Sequence, residues 1–261
     1  MSEGKGQGSE MSFWDHLEEL RGVLLHSVSA LLILFVVLFF FKGFIFDTVV
    51  LGPTRPDFWL YRLLGVDFGV SLINIEVTAQ FFIHMRVTLI AAIIVCVPYL
   101  IFELWRFVAP ALYKSEKRAV RAAFALGSGL FYIGTAVGYF VVMPLVMFFF
   151  AGYQVSVAVE NTFSLSSYIS IFSSMVLVMG ILFEFPSVIA VLSRIGIVTR
   201  RMLRGFRRHA VVVILILAAV LTPTGDPFTM LVVAAPLYIL YEFSILLCKK
   251  DVEAAVEGGE K

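Results

Sequence analysis

The strongest constraint on this chain is a series of apolar runs too long for the core of an ordinary soluble domain. They cover residues 23–46, 81–104, 119–150, 168–192 and 228–248, with a shorter run at 210–221. An α-helix rises 1.5 Å per residue, so about 20 residues cross a hydrocarbon core of roughly 30 Å. Lipid offers no hydrogen-bond partners, and a helix satisfies its own backbone. The chain is 60% hydrophobic and only 15% charged, which leaves no room for a separate soluble domain. The pattern therefore predicts an all-α membrane protein with six transmembrane helices. The 12-residue fifth run spans only about 18 Å. Residues 1–11 read as a disordered tail, 12–250 as one membrane domain, and 251–261 as a disordered acidic tail. The first apolar run is too long for a cleavable leader and lacks a small-residue cleavage site.

Orientation follows from the bases. The segments after the second and fourth runs hold 11 of the 20 Lys and Arg: Arg106, Lys114, Lys117, Arg118 and Arg121 in the first, and six arginines in the second, a basic loop from Arg194 to His209. The loops after the third and fifth runs hold none. The positive-inside rule places both termini in the cytoplasm, in a multi-pass inner membrane protein. Residues 12–24 read as an amphipathic surface helix that precedes the turn into the first span, with Phe13, Leu17, Leu20 and Leu24 on one stripe. The outer segment 47–80 holds prolines and glycines among apolar residues and predicts short structured pieces. Gly127, Gly129, Gly134 and Gly138 offer close-packing positions, and Pro144 predicts a kink near the outer end of the third span.

The carboxylates at the cytoplasmic face carry the functional argument. Glu18 has Arg21 three residues on, and Glu103 has Arg106 at the same spacing, so each has a partner within its own helix. Glu19 and Glu116 have none. Two readings stand for them. Either they are solvated or touch a neighbouring basic loop, or they receive a cationic peptide, each accepting one planar guanidinium. Within the fourth run, Glu184 is a mid-span acid, costly to leave charged, and Pro186 removes a backbone donor beside it. Glu184 admits three roles: a structural hydrogen bond, a proton relay, or docking of a partner's transmembrane helix. Asp226 reads as a turn residue or helix N-cap, and Glu242 as held by snorkelling or by the adjacent basic loop.

No phosphate-cradling loop, nucleophile elbow or metal-spaced histidine cluster is present, so no enzyme activity, cofactor or metal is expected. Cys96 and Cys248 suggest neither a disulfide framework nor a zinc site. The net charge of +1 implies no bulk attraction to nucleic acid. A proton-coupled small-solute transporter using Glu184 is the competing reading; it requires a closed midplane pocket, inverted repeats and discontinuous helices, and no internal repeat is evident.

Several stretches together resemble the TatC family, the polytopic core subunit of twin-arginine protein export. They are His16-Leu17-Glu18-Glu19-Leu20-Arg21, residues 105–114 with Glu116, Phe131-Tyr132-Ile133-Gly134, Phe183-Glu184-Phe185-Pro186, Leu221-Thr222-Pro223 with Asp226, and Pro236-Leu237-Tyr238 with Tyr241-Glu242. The turn departs from the family pattern by an apparent extra residue before Asp226. The resemblance implies a concave cup of six helices with short fifth and sixth spans. It implies recognition of twin-arginine signal peptides on folded cargo, with transport driven by the proton-motive force. It further implies association with single-span TatA/TatB-type partners and self-association in a multisubunit complex. By matching positions it assigns Glu19 and Glu116 as the signal-peptide acids, with Leu20, Arg21, Phe107, Tyr113 and Lys114 in the same patch. Glu184, with Pro186 and Asp226, forms the intramembrane polar set.

Overall fold

The computed structural model describes residues 13–109, 114–156, 158–159, 161–222 and 225–248, and of these the side chains of 13–16 and 114–119 lie outside the description. The elements are helical: α1 (Phe13–Phe39), α2 (Trp59–Leu64), α3 (Ala79–Val108), α4 (Lys114–Val137), α5 (Met143–Gly152), α6 (Leu165–Phe183), α7 (Phe185–Arg194), α8 (Arg200–Leu221) and α9 (Pro227–Leu247). Two-residue strands β1 (Leu72–Ile73) and β2 (Phe163–Ser164) pair in parallel. Among the described residues, five stretches are long and apolar enough to cross a membrane: 17–39, 79–108, 120–152, 165–194 and 227–247. α8 falls outside that set because its first ten residues carry five arginines. Its apolar half, 210–221, matches the short fifth run. α9 is the shortest of the five at 21 residues.

Three expectations need correction. Residues 13–39 form one unbroken helix, so no surface helix precedes a turn into the membrane, and the first span ends at Phe39 rather than Phe46. Nothing at Gly22 or Val23 breaks the backbone hydrogen-bond ladder, and a π-helical turn, Phe44–Val50, follows instead. The basic stretch before the fifth run is a loop only as far as Thr199, whose side chain caps α8 by accepting from the Met202 N–H. From Arg200 the bases form the first turns of that helix. Gly129 has open space around it and is not a packing position.

The spans pack in a row that does not close into a ring among the described residues. α1 packs on α3, α3 on α4, α4 on α6 and α7, α7 on α9, and α9 on α8. Close approach of α4 to α6 depends on missing side chains. A Cβ at Gly134 would lie 2.5 Å from the Met179 carbonyl oxygen, and one at Gly138 would lie 2.8 Å from that of Met175. Such small-residue seams are how helices pack where water gives no drive to association. Pro144 lies just after the π-helical turn Gly138–Val142 and cannot donate to the Phe140 carbonyl four residues back. The indole N–H of Trp59 donates to that carbonyl at 3.1 Å.

That bond is one of several that pin the outer segment onto the helix ends. The hydroxyls of Tyr139 and Tyr168 donate to the carbonyls of Val49 (2.8 Å) and Val50 (2.5 Å), and the buried Tyr61 donates to that of Pro53 (2.8 Å). The Arg55 guanidinium donates to the Asp47 carbonyl. Segment 47–80 is therefore built of short structured pieces, as its composition predicts.

The packing yields a paired test. Gly134→Ala is expected to lower stability by about 1–3 kcal/mol because its methyl meets backbone that cannot rotate away. Gly129→Ala is expected to be near neutral. Thermal unfolding of both variants in detergent checks the difference.

Candidate functional site

At the inner end of the row, α1 presents Glu18 and Arg21 to solvent, and the two make no ion pair with one another. Glu19, one residue along, is half-buried, and its Oε2 is inaccessible and has no hydrogen-bond partner among the described residues. Leu20 is 39% exposed beside it. Phe107, half-buried, lies in the last turn of α3. Lys114 and Glu116 lie in the first turn of α4, their side chains outside the described residues, and Tyr113 is wholly outside them. α3, whose last turn carries Phe107, packs on both α1 and α4.

Glu103 has the ion-pair partner its spacing predicts, loosely held. The spacing to Arg106 is present, but Arg106 Nη1 stands 4.0 Å from Oε2, beyond hydrogen-bond reach, with its side chain 60% exposed. Glu103 itself is 3% exposed, and its Oε2 has no hydrogen-bond partner among the described residues. Sequence reasoning missed the burial of Glu103 because an i,i+3 spacing names a partner without giving the depth of the pair. The Tyr99 hydroxyl lies beside the same carboxylate.

Glu184 occupies the junction between α6 and α7, where Pro186 has no N–H to continue the ladder. It opens onto an apolar groove of about 450 Å³, with Leu100, Ile101 and Leu104 of α3, Ala123, Phe124 and Phe131 of α4, and Ser187, Val188 and Val191 of α7 among its lining residues. Leu100 to Leu104 lie in the last third of α3, so the acid stands level with that part of the helix. The Ser187 hydroxyl donates to Oε2 at 2.6 Å. Oε1 is buried and has no partner among the described residues. A Cβ at Gly127 would stand 2.5 Å from Oε2 and 3.0 Å from the Ser187 hydroxyl. The absent side chain of Gly127 therefore leaves the space in which the acid and serine meet, a role its sequence context does not reveal. The junction is a helix discontinuity of the kind a transporter uses. Yet the groove draws its lining from α3, α4 and the α6–α7 stretch alone, along one face of the row.

Asp226 caps α9, its carboxylate accepting from the Thr229 N–H at 2.7 Å, which is the N-cap role. Pro223 and Thr224, in the departing turn, lie outside the described residues. Glu242 is held by Arg207 at 2.7 Å, so the basic stretch does supply its partner. Cys96 and Cys248 are free and buried.

A sequence model of the TatC family, described as Sec-independent protein translocase protein, matches residues 15–236. A Sec-independent protein translocase protein TatC of Blattabacterium from Periplaneta americana is 37% identical over 258 residues, covering 93% of this chain and 97% of that one. Two crystal structures of a twin-arginine translocase receptor TatC are each 33% identical. One superposes with a TM-score of 0.72 over 89% of this chain and 97% of its own. The other, in the detergent DDM, superposes at 0.75 over 90% and 99%.

Gly127→Ala is expected to push the Glu184 carboxyl away from Ser187, whereas Gly129→Ala leaves it in place. A carboxyl infrared band assigned by its loss in Glu184→Gln is expected to shift in the first variant only.

Proposed function

The chain belongs to the TatC family of Sec-independent protein translocase proteins, and we propose that within it this protein binds twin-arginine signal peptides through Glu19 and Glu116. It is a multi-pass membrane component of protein translocation and not an enzyme. The observation that carries the reading is Glu19, a carboxylate with an oxygen shut off from water and without a donor among the described residues, at the inner end of a transmembrane helix. An arginine fork supplies two parallel donors to such a group. Leu20, Arg21, Phe107, Tyr113 and Lys114 belong to the same surface, the aromatic and apolar members contacting the residues that flank the arginines. The face lies in the cytoplasm with both termini, in the inner membrane, since the bases of α8 and of the α3–α4 connection gather on that side.

The row of helices also bears on the translocation step. A folded 100-residue cargo has a radius of gyration of about 13 Å and is roughly 30 Å or more across. A row of helices, each about 10 Å in diameter, has no opening of that size. In this reading the chain is receptor and scaffold, and passage needs TatA/TatB-type single-span partners, further copies of the chain and the proton-motive force. The groove at Glu184 suits such a partner, since its walls are apolar and Oε1 awaits one donor. Pro186 sets the break that presents the acid, and Asp226 fixes the start of α9.

Photo-crosslinking tests the peptide assignment. Glu19→Gln and Glu116→Gln are each expected to reduce crosslinking of a twin-arginine peptide about tenfold or more, from loss of a charge-assisted bond. Undiminished crosslinking in both would remove the receptor assignment. Glu184→Ala is expected to leave crosslinking intact while reducing co-purification of a single-span partner.

A further inference from the structure

We propose that Glu103 is a third carboxylate of the peptide-binding surface, facing Glu19 across the inner end of the α1–α3 seam and accepting a guanidinium from the bound peptide. The proposal rests on the receptor reading above and adds to it a residue that local spacing would pair with Arg106.

Register places the two acids at one height. The Phe39 ring stacks on His84 with centroids 4.1 Å apart, pinning the outer ends of α1 and α3 together. The two helices run antiparallel, joined through the outer segment. Counting back along α1, Glu19 lies 20 residues from Phe39; counting on along α3, Glu103 lies 19 from His84. At 1.5 Å per residue both stand about 30 Å from the pinned pair.

Facing follows from burial. On α1, Glu19, Val23, Ser27, Ala30, Leu34 and Leu38 recur at spacings of three and four and are each half-buried. The extensive packing of α1 is against α3, so this stripe looks toward α3. On α3, Thr88, Ala92, Cys96 and Glu103 recur on one face and are all buried, while Ile83 and Val87 join a core with α6 residues on another. The small residues at 88, 92 and 96 admit a close neighbour helix, and Glu103 ends their stripe as Glu19 ends that of α1.

The chemistry of the seam then calls for a cation. Each acid has an inaccessible oxygen with no hydrogen-bond partner among the described residues. Among the described bases, Arg21 is exposed, and Arg106 pairs with Glu103 only loosely, at 4.0 Å with its side chain 60% exposed. No group of three or more metal-binding side chains is found among the described residues. Two carboxylates side by side with undonated oxygens fit a guanidinium, whose five N–H groups can serve both at once. An ammonium is a single point charge and matches that planar arrangement less well.

The test uses the full chain in lipid nanodiscs and fluorescent peptides bearing Arg-Arg or Lys-Lys. Glu103→Gln, which keeps the shape and removes the charge, is expected to raise Kd for the Arg-Arg peptide about tenfold or more and to flatten its salt dependence. The Lys-Lys peptide is expected to lose much less. Glu103→Asp, which keeps the charge, guards against a folding defect and is expected to fall between Gln and the parent. Glu18→Gln, at an exposed acid, is expected to bind like the parent. Parent-like binding by Glu103→Gln, with weakened binding by Glu19→Gln, would overturn the proposal and leave the receptor reading standing. A rise in thermal stability of Glu103→Gln without any change in binding would also overturn it, assigning the two acids a shared proton instead. Unchanged binding in Glu19→Gln, Glu116→Gln and Glu103→Gln together would fail the receptor reading itself.

Discussion

A carboxylate withdrawn from water needs donors to replace its lost hydration, and an ionised one left without them costs several kcal/mol. The arrangement of this protein turns on where that demand is met and where it is not. Glu242 has Arg207 at 2.7 Å, and Asp226 has a helix N–H at 2.7 Å. Glu19, Glu103 and Glu184 each keep an inaccessible oxygen with no partner among the described residues. The satisfied acids hold the fold together, and the unsatisfied ones mark the surfaces proposed to meet other molecules.

The scaffold explains why those oxygens stay open. The end helices α1 and α8 each pack mainly on one neighbour, α3 and α9, which leaves other faces of the row open. The outer ends are tied by hydroxyl and indole donors to backbone carbonyls of the outer segment. At the inner ends of α1 and α3, Glu19 and Glu103 each keep an oxygen with no hydrogen-bond partner among the described residues. Rigidity at one end and unmet polar groups at the other suit a receptor that accepts a segment arriving from one side.

Much of this was legible in the sequence, for physical reasons that can be named. Lipid imposes length and apolarity on a span, so the long runs and the shortness of the fifth could be read directly. Asp226 announced a cap, and the bases near Arg207 announced a partner for Glu242. What escaped depended on distance along the chain. The continuity of α1 through Gly22 is set by the absence of a helix breaker, and the amphipathic stripe of 12–24 carries no sign of it. Arg200 to His209 looked like a loop because charge density masks helical periodicity. Gly127 and Gly129 are two residues apart and alike in sequence, yet only the first faces Glu184. Glu103 shows that spacing can give an ion pair, here a loose one at 4.0 Å, without telling that the acid is buried.

The account stands most directly on where the arginines of a bound peptide lie. A structure by electron cryomicroscopy of this chain in a nanodisc, with a twin-arginine signal peptide bound, would measure it. The account predicts a guanidinium nitrogen about 2.7–2.9 Å from the Glu19 carboxylate, at the inner end of α1. Arginines lodged elsewhere, with Glu19 held by a base of its own chain, would contradict it.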